Sequence, residues 1–192
     1  MKTNPLIILL LLFVIGCDSK QDWRADLEKV NEQEELRMAD SKAKIRSYMK
    51  DSYTIETGFS SKEEALLAFL TEVQKTTGFE LKTIFTSLEK ETVLFPNTLG
   101  FGTALDVTPL EEYKKLIQER ENMGIERLRE KMQGSSFSLT EIKWEKPRIY
   151  NKINGYKPHS IELTIKGKQV KVDQVKMIFE VNGKYKVGVI AP

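Results

Sequence analysis

The chain has 192 residues, 40% of them apolar and 30% charged, with one cysteine, one histidine and a formal net charge of +2. This composition excludes a multi-span membrane protein and a disordered chain, and the lone cysteine excludes a disulfide within one copy. It also leaves too few Cys and His residues for a zinc site built from them, and the near-neutral charge points to no class of partner.

Taken in order, Lys2 gives a basic start and Leu6 to Ile15 a charge-free apolar run of roughly ten residues, about half the length a membrane-spanning helix needs. The run ends in Val14-Ile15-Gly16-Cys17, after which Asp18, Ser19, Lys20, Gln21 and Asp22 are all polar. This pattern of two aliphatic residues, Gly and Cys resembles the signal of bacterial lipoproteins. The resemblance implies that residues 1–16 are a signal peptide removed before Cys17. It further implies that the Cys17 sulfur carries a diacylglycerol and its new amine a further acyl chain such as palmitate. The membrane partner would then be reached through Cys17, in the bacterial cell envelope on the exported side. Asp18 resembles the inner-membrane retention signal of enteric bacteria, but sorting rules differ between groups and both membranes stay open. A single acyl chain binds marginally, whereas two or three hold permanently.

Residues 17–58 read as the lipidated N-terminus and a charged helical stalk. From Asp22 to about Lys50 the chain lacks Gly and Pro, and Trp23, Leu27, Val30, Met38 and Ile45 form a thin stripe broken by Glu34 and Ser41. Residues 59–192 read as one α+β domain. Ser61-Lys62-Glu63-Glu64 is a capping box, which predicts a helix with Leu66, Phe69, Leu70 and Val73 inward and Gly78 as its stop. Phe79 to Leu88 predicts a second, short helix burying Leu81, Ile84, Phe85 and Leu88. Leu94 to Val107, with Pro96, Gly100 and Gly102, predicts a loop. Thr108-Pro109-Leu110-Glu111 predicts a third helix capped by Thr108, with Gly124 as a bend and Gly134 as the end.

From Ser135 the apolar period drops to two. Phe137 and Leu139 share one parity and Ile142 and Trp144 the other, which predicts a bulge near Thr140 and Glu141. Ile161, Leu163 and Ile165 alternate, Gly167 marks a turn, and the phase change between Val172 and Val175 predicts a second bulge near Asp173 and Gln174. Asn182-Gly183 predicts a tight hairpin leading into a last strand with Tyr185, Val187 and Val189 on one face. Residues 135–192 hold 11 Lys and Arg against 5 Asp and Glu. The plain reading is lysines that keep exposed strand faces soluble; the sharper one is a basic sheet facing an anionic envelope component.

The expected fold is therefore N-terminal helices packed on a curved four-stranded antiparallel meander, preceded by a stalk. Helices first and then a meander ending in Asn182-Gly183-Lys184-Tyr185 resembles the NTF2-like or cystatin-like architecture. The resemblance implies a cone whose mouth binds a small apolar molecule, with isomerase- or cyclase-type chemistry in some members. His159, Trp144 and Tyr185 are the candidate pocket residues; His159 shares parity with Ile161 and is expected to face the concave side. No G-x-S-x-G, phosphate loop, dinucleotide fingerprint or calcium loop occurs, so no catalytic residue, metal or cofactor is assigned and no nucleic acid is expected. The function expected is an anchored exported lipoprotein with a non-catalytic binding or envelope-associated domain. The alternative is an enzyme or small-molecule carrier using the cone.

Overall fold

The computed structural model describes residues 23–192. The signal segment and Cys17 lie outside the described residues. The described residues divide into two units at Arg37, the second being Met38–Pro192. Helix α1 (Trp23–Ser47) supplies the described part of the first unit. From Met38 onward it belongs to the second, where Ile45 is buried. Tyr53 and Ile55 join the same core cluster as Ile45. No helix among the described residues is long and apolar enough to cross a membrane.

Helix α2 (Lys62–Lys75) starts where the capping box predicts, with Ser61 Oγ accepting from Glu64 N at 3.1 Å. Glu64 reaches one residue further back than a standard box and takes Ser60 N (3.1 Å) and Ser60 Oγ (2.5 Å). Leu66, Phe69, Leu70 and Val73 are each fully buried, at about 1.5–3 kcal/mol apiece.

The next segment departs from expectation. Residues 79–86 are not helical: Glu72 of α2 accepts Lys82 N, Thr83 N and Thr83 Oγ1 at 2.9, 3.0 and 2.6 Å, which holds this stretch against the helix. Ile84 forms a parallel bridge to Val187 instead. Helix begins only at α3 (Ser87–Glu89), where Thr86 and Glu89 form a reciprocal capping box, and Leu88 is 69% exposed rather than inward. The helix continues as a π turn (Lys90–Leu94) and α4 (Phe95–Thr98), so the expected loop begins with a helical turn. Phe95 N bonds Lys90 O, the wide-turn pattern, just before Pro96, which has no amide and whose ring would crowd the carbonyl four residues back.

Helix α5 (Leu110–Met132) is capped at Pro109 rather than Thr108, and Ser41 Oγ of α1 accepts the Leu110 amide at 3.0 Å. It passes through Gly124 without a break and ends at Gln133 and Gly134, both with positive φ.

Seven strands follow: β1 (Phe137–Trp144), β2 (Arg148–Tyr150), β3 (Ile153–Tyr156), β4 (Pro158–Ile165), β5 (Lys168–Val172), β6 (Val175–Val181) and β7 (Lys184–Ile190). They form a three-stranded antiparallel sheet, β1-β4-β5, and a four-stranded one, β2-β3-β6-β7. The single four-stranded meander expected from sequence is thus divided. Its first three passes are each interrupted, at residues 145–147, at Lys157 and at Asp173-Gln174. Pro147 ends the first of these breaks and Pro158 follows the second, and neither donates a ladder hydrogen bond. The expected bulge near Thr140 is present as a register shift between Leu139 and Glu141. The edge of β7 is covered: Phe59 and Tyr185 exchange backbone hydrogen bonds at 2.9 Å, and Phe85 N bonds Val187 O at 3.0 Å.

Two core clusters result. One joins α2, the end of α5 and β4 with Ile178 and Val187; the other joins Ile45, Phe85, Leu94, Phe95, Tyr150, Phe179 and Val181. Ile178 and Phe179 are adjacent on β6 and fall in different clusters, so the four-stranded sheet is covered on both faces.

Candidate ligand-binding cavity

A cavity of about 390 Å³ opens between α5, the π turn with α4, and strands β6 and β7. Tyr113, Ile117, Arg120 and Glu121 of α5 line it, because three- and four-residue steps put them on one helix face. Leu94 and Phe95 come from the turn opposite, Met177 and Phe179 from β6, and Val189 and Ile190 from β7. The wall is mostly apolar with a few polar groups, and the size lies in the range of small-molecule sites, about 300–1,000 Å³. Gly188 makes close packing at this wall feasible: a Cβ there would lie 2.4 Å from Phe179 Cδ2 and 3.2 Å from Leu94 Cδ1.

The polar part is a buried ion pair. Lys90 Nζ donates to Glu121 Oε2 at 2.6 Å, with the two side chains 7% and 6% exposed. The preceding residue makes a second one: Lys186 Nζ of β7 donates to Glu89 Oε2 at 2.8 Å and to Thr57 Oγ1 at 3.0 Å. Successive residues of one turn are thereby tied to α5 and to β7. Breaking either pair would strand a buried charge, which costs far more than the pair contributes. Glu89 Oε1 is buried without a hydrogen-bond partner among the described residues.

Burial pushes the Tyr113 hydroxyl above its usual range; Arg120 pulls the other way and Asp106 adds to the rise. Asp106 is itself occupied, accepting Gly100 N, Gly102 N and Thr103 N at 2.6, 2.7 and 3.0 Å.

None of the three candidate residues from sequence lines this cavity. His159 is exposed, contrary to its expected concave position. Lys143 pairs with Ser160 but Trp144 with Pro158, and this shift takes His159 out of the alternation that buries Ile161. Trp144 and Tyr185 do belong to one cluster. Lys62 Nζ sits 5.3 Å from the Trp144 ring and 5.4 Å from that of Tyr156, whose ring lies 5.7 Å from Tyr185. The Tyr156 hydroxyl donates to Glu180 at 2.6 Å, and that bond, with burial second, holds it far above the usual tyrosine range. No group of three or more His, Cys, Asp or Glu among the described residues is placed to hold a metal.

The cavity residues were missed because they are far apart in sequence, as Lys90 and Glu121 are. The helix-face spacing of Tyr113, Ile117 and Arg120 was the one signal available. No protein-family model matches the chain, and no curated protein or solved structure matches it either.

Proposed function

We propose that the protein is an exported bacterial lipoprotein, anchored through Cys17, whose α+β unit binds a small, largely apolar molecule without transforming it. The cavity between α5 and β6–β7 carries this reading. We read the unit as NTF2-like, supported by helices that precede four antiparallel chain passes. An acid–base enzyme is the second reading, favoured by Glu121, a buried carboxylate on the cavity wall; its commitment to Lys90 at 2.6 Å weighs against it.

The test is native mass spectrometry of the full chain made in a lipoprotein-processing bacterium. The expected spectrum shows acyl mass on a chain beginning at Cys17 and a co-purifying small molecule. A Cys17→Ala form should lose the acyl mass and leave the membrane. An unacylated, uncleaved wild-type chain would overturn the anchoring, and a chain that retains and takes up no small molecule would overturn the binding role.

A further inference from the structure

The cavity is unbalanced in what it offers a ligand. Glu121 is the one acidic residue lining it, and Lys90 already occupies that carboxylate at 2.6 Å. Arg120 and Lys176 also line it, and neither makes an ion pair or hydrogen bond among the described residues. Two further carboxylates around the cavity are already engaged. Asp173, whose charge Lys176 feels, accepts Lys131 Nζ at 2.6 Å, and Asp106 near Tyr113 is filled by three amides.

The neutral groups lean the same way. Thr103 places a hydroxyl on the wall, and the Tyr113 hydroxyl, raised by burial, keeps its proton at neutral pH. Lys and Arg carry donors only, so the acceptors that complete this site must come from the ligand. The rest of the wall asks for apolar surface: Leu94 and Phe95 are 4% exposed and Phe179 3%. Leu116 and Val189, at 37% and 40% exposure, extend that surface to the solvent side.

We infer that the ligand is an anionic amphiphile, with its apolar chain against Leu94, Phe95 and Phe179 and its head group held by Arg120 and Lys176. This rests on the binding role proposed above and adds the ligand's chemical class. The head needs a negative charge and several acceptor oxygens; a carboxylate and a phosphate monoester both supply them. Charge-assisted bonds to such a head are the strong kind, and Arg can make two of them in parallel.

The test titrates the full chain, held in phosphatidylcholine nanodiscs, with decanoate, decyl phosphate, decanol and decyltrimethylammonium by calorimetry, with empty discs as the blank. One or both anions should bind at least about tenfold tighter than decanol, the worth of one charge-assisted contact. The tighter of decanoate and decyl phosphate identifies the head group. In the Arg120→Gln, Lys176→Gln double variant the preference should collapse while decanol binding stays. Val189→Trp, a bulky residue at a partly exposed site, should weaken every probe. Binding of both decanoate and decyl phosphate no tighter than that of decanol, all of it lost in Val189→Trp, would keep the cavity as a binding site and overturn the anionic class, as would tighter binding of the cation. No binding by any probe, or binding indifferent to Val189→Trp, would overturn the cavity itself and the inference with it.

Discussion

Gly124 lies in the middle of α5, where its low helix propensity predicts a bend that the helix does not make. Its role is in packing: a Cβ there would lie 2.8 Å from Ile190 Cγ2 and about 3 Å from the backbone C and N of Ala191. Two effects oppose each other in Gly124→Ala. The helix gains about 1 kcal/mol from propensity, and overpacking costs about 1–3 kcal/mol. The obstruction is largely backbone and cannot rotate away, so the cost wins, and urea unfolding should show a net loss of about 1 kcal/mol. A more stable variant would show that the last strand yields. Sequence marks such a glycine as a helix breaker because the strand it touches is more than sixty residues away in the chain. Asn182 and Gly183 stand at the other extreme. Their φ values of 49° and 77° are those of the hairpin turn that the dipeptide predicts, since the signal and the structure share four residues.

At the scale of elements, local chemistry was legible wherever a cap decided the outcome. Ser61 starts α2, but the equivalent signal at Thr86-Ser87-Leu88-Glu89 was hidden under the apolar spacing of Leu81, Ile84, Phe85 and Leu88. Three of those four are buried, and by tertiary contact rather than on a helix face. The turn that begins at Thr86 is held by ion pairs that no local pattern reveals. Lys186→Met should cost about 3–5 kcal/mol, because it leaves the Glu89 carboxyl in a buried site without its cation partner. Glu89→Gln in the same chain should recover part of that loss, so a double-mutant cycle in urea should give strong coupling. Strict additivity would mean that the two groups act independently and that the turn is not fastened to β7 by this pair. The same fastening bears on the cavity, since Lys90 follows Glu89 directly and carries the charge on its wall.

The α+β class and the bulge at Thr140 were legible, because each is a change of period within a few residues; at Asp173-Gln174 the same kind of phase change predicts a bulge, and the chain instead passes there from one sheet to the other. The division into two sheets was not, because a sheet covered on both faces loses the alternation that identifies an inward side. Ile178 and Phe179, both buried on opposite faces, show why. The cavity was illegible for a related reason: it forms where three distant segments meet at the edge of one core cluster. What the second unit shows at its own scale is a surface fastened by ionised carboxylates. At Glu72, burial works to raise the carboxyl, yet the bonds from Thr83 Oγ1 and the amides of Lys82 and Thr83 outweigh it and hold it below the usual range. Glu91 is likewise lowered by Lys114 and Lys44 against its burial, and Asp173 by Lys131. A carboxylate depressed on folding contributes stability that is complete above its unfolded pKa, about 4.3 for Glu, and is lost as pH falls through the lower folded value. Stability should therefore hold level from pH 7 to about 5 and decline steadily below it. Glu72→Gln isolates one share of that decline. It should cost about 1–2 kcal/mol at pH 7, where an ionised acceptor of three hydrogen bonds is removed, and much less at pH 3, where the wild-type carboxyl is itself taking up its proton. Urea midpoints for both proteins across that range decide the matter: a gap that stays constant down to pH 3 would mean that the Glu72 charge contributes nothing to holding residues 82 and 83 against α2.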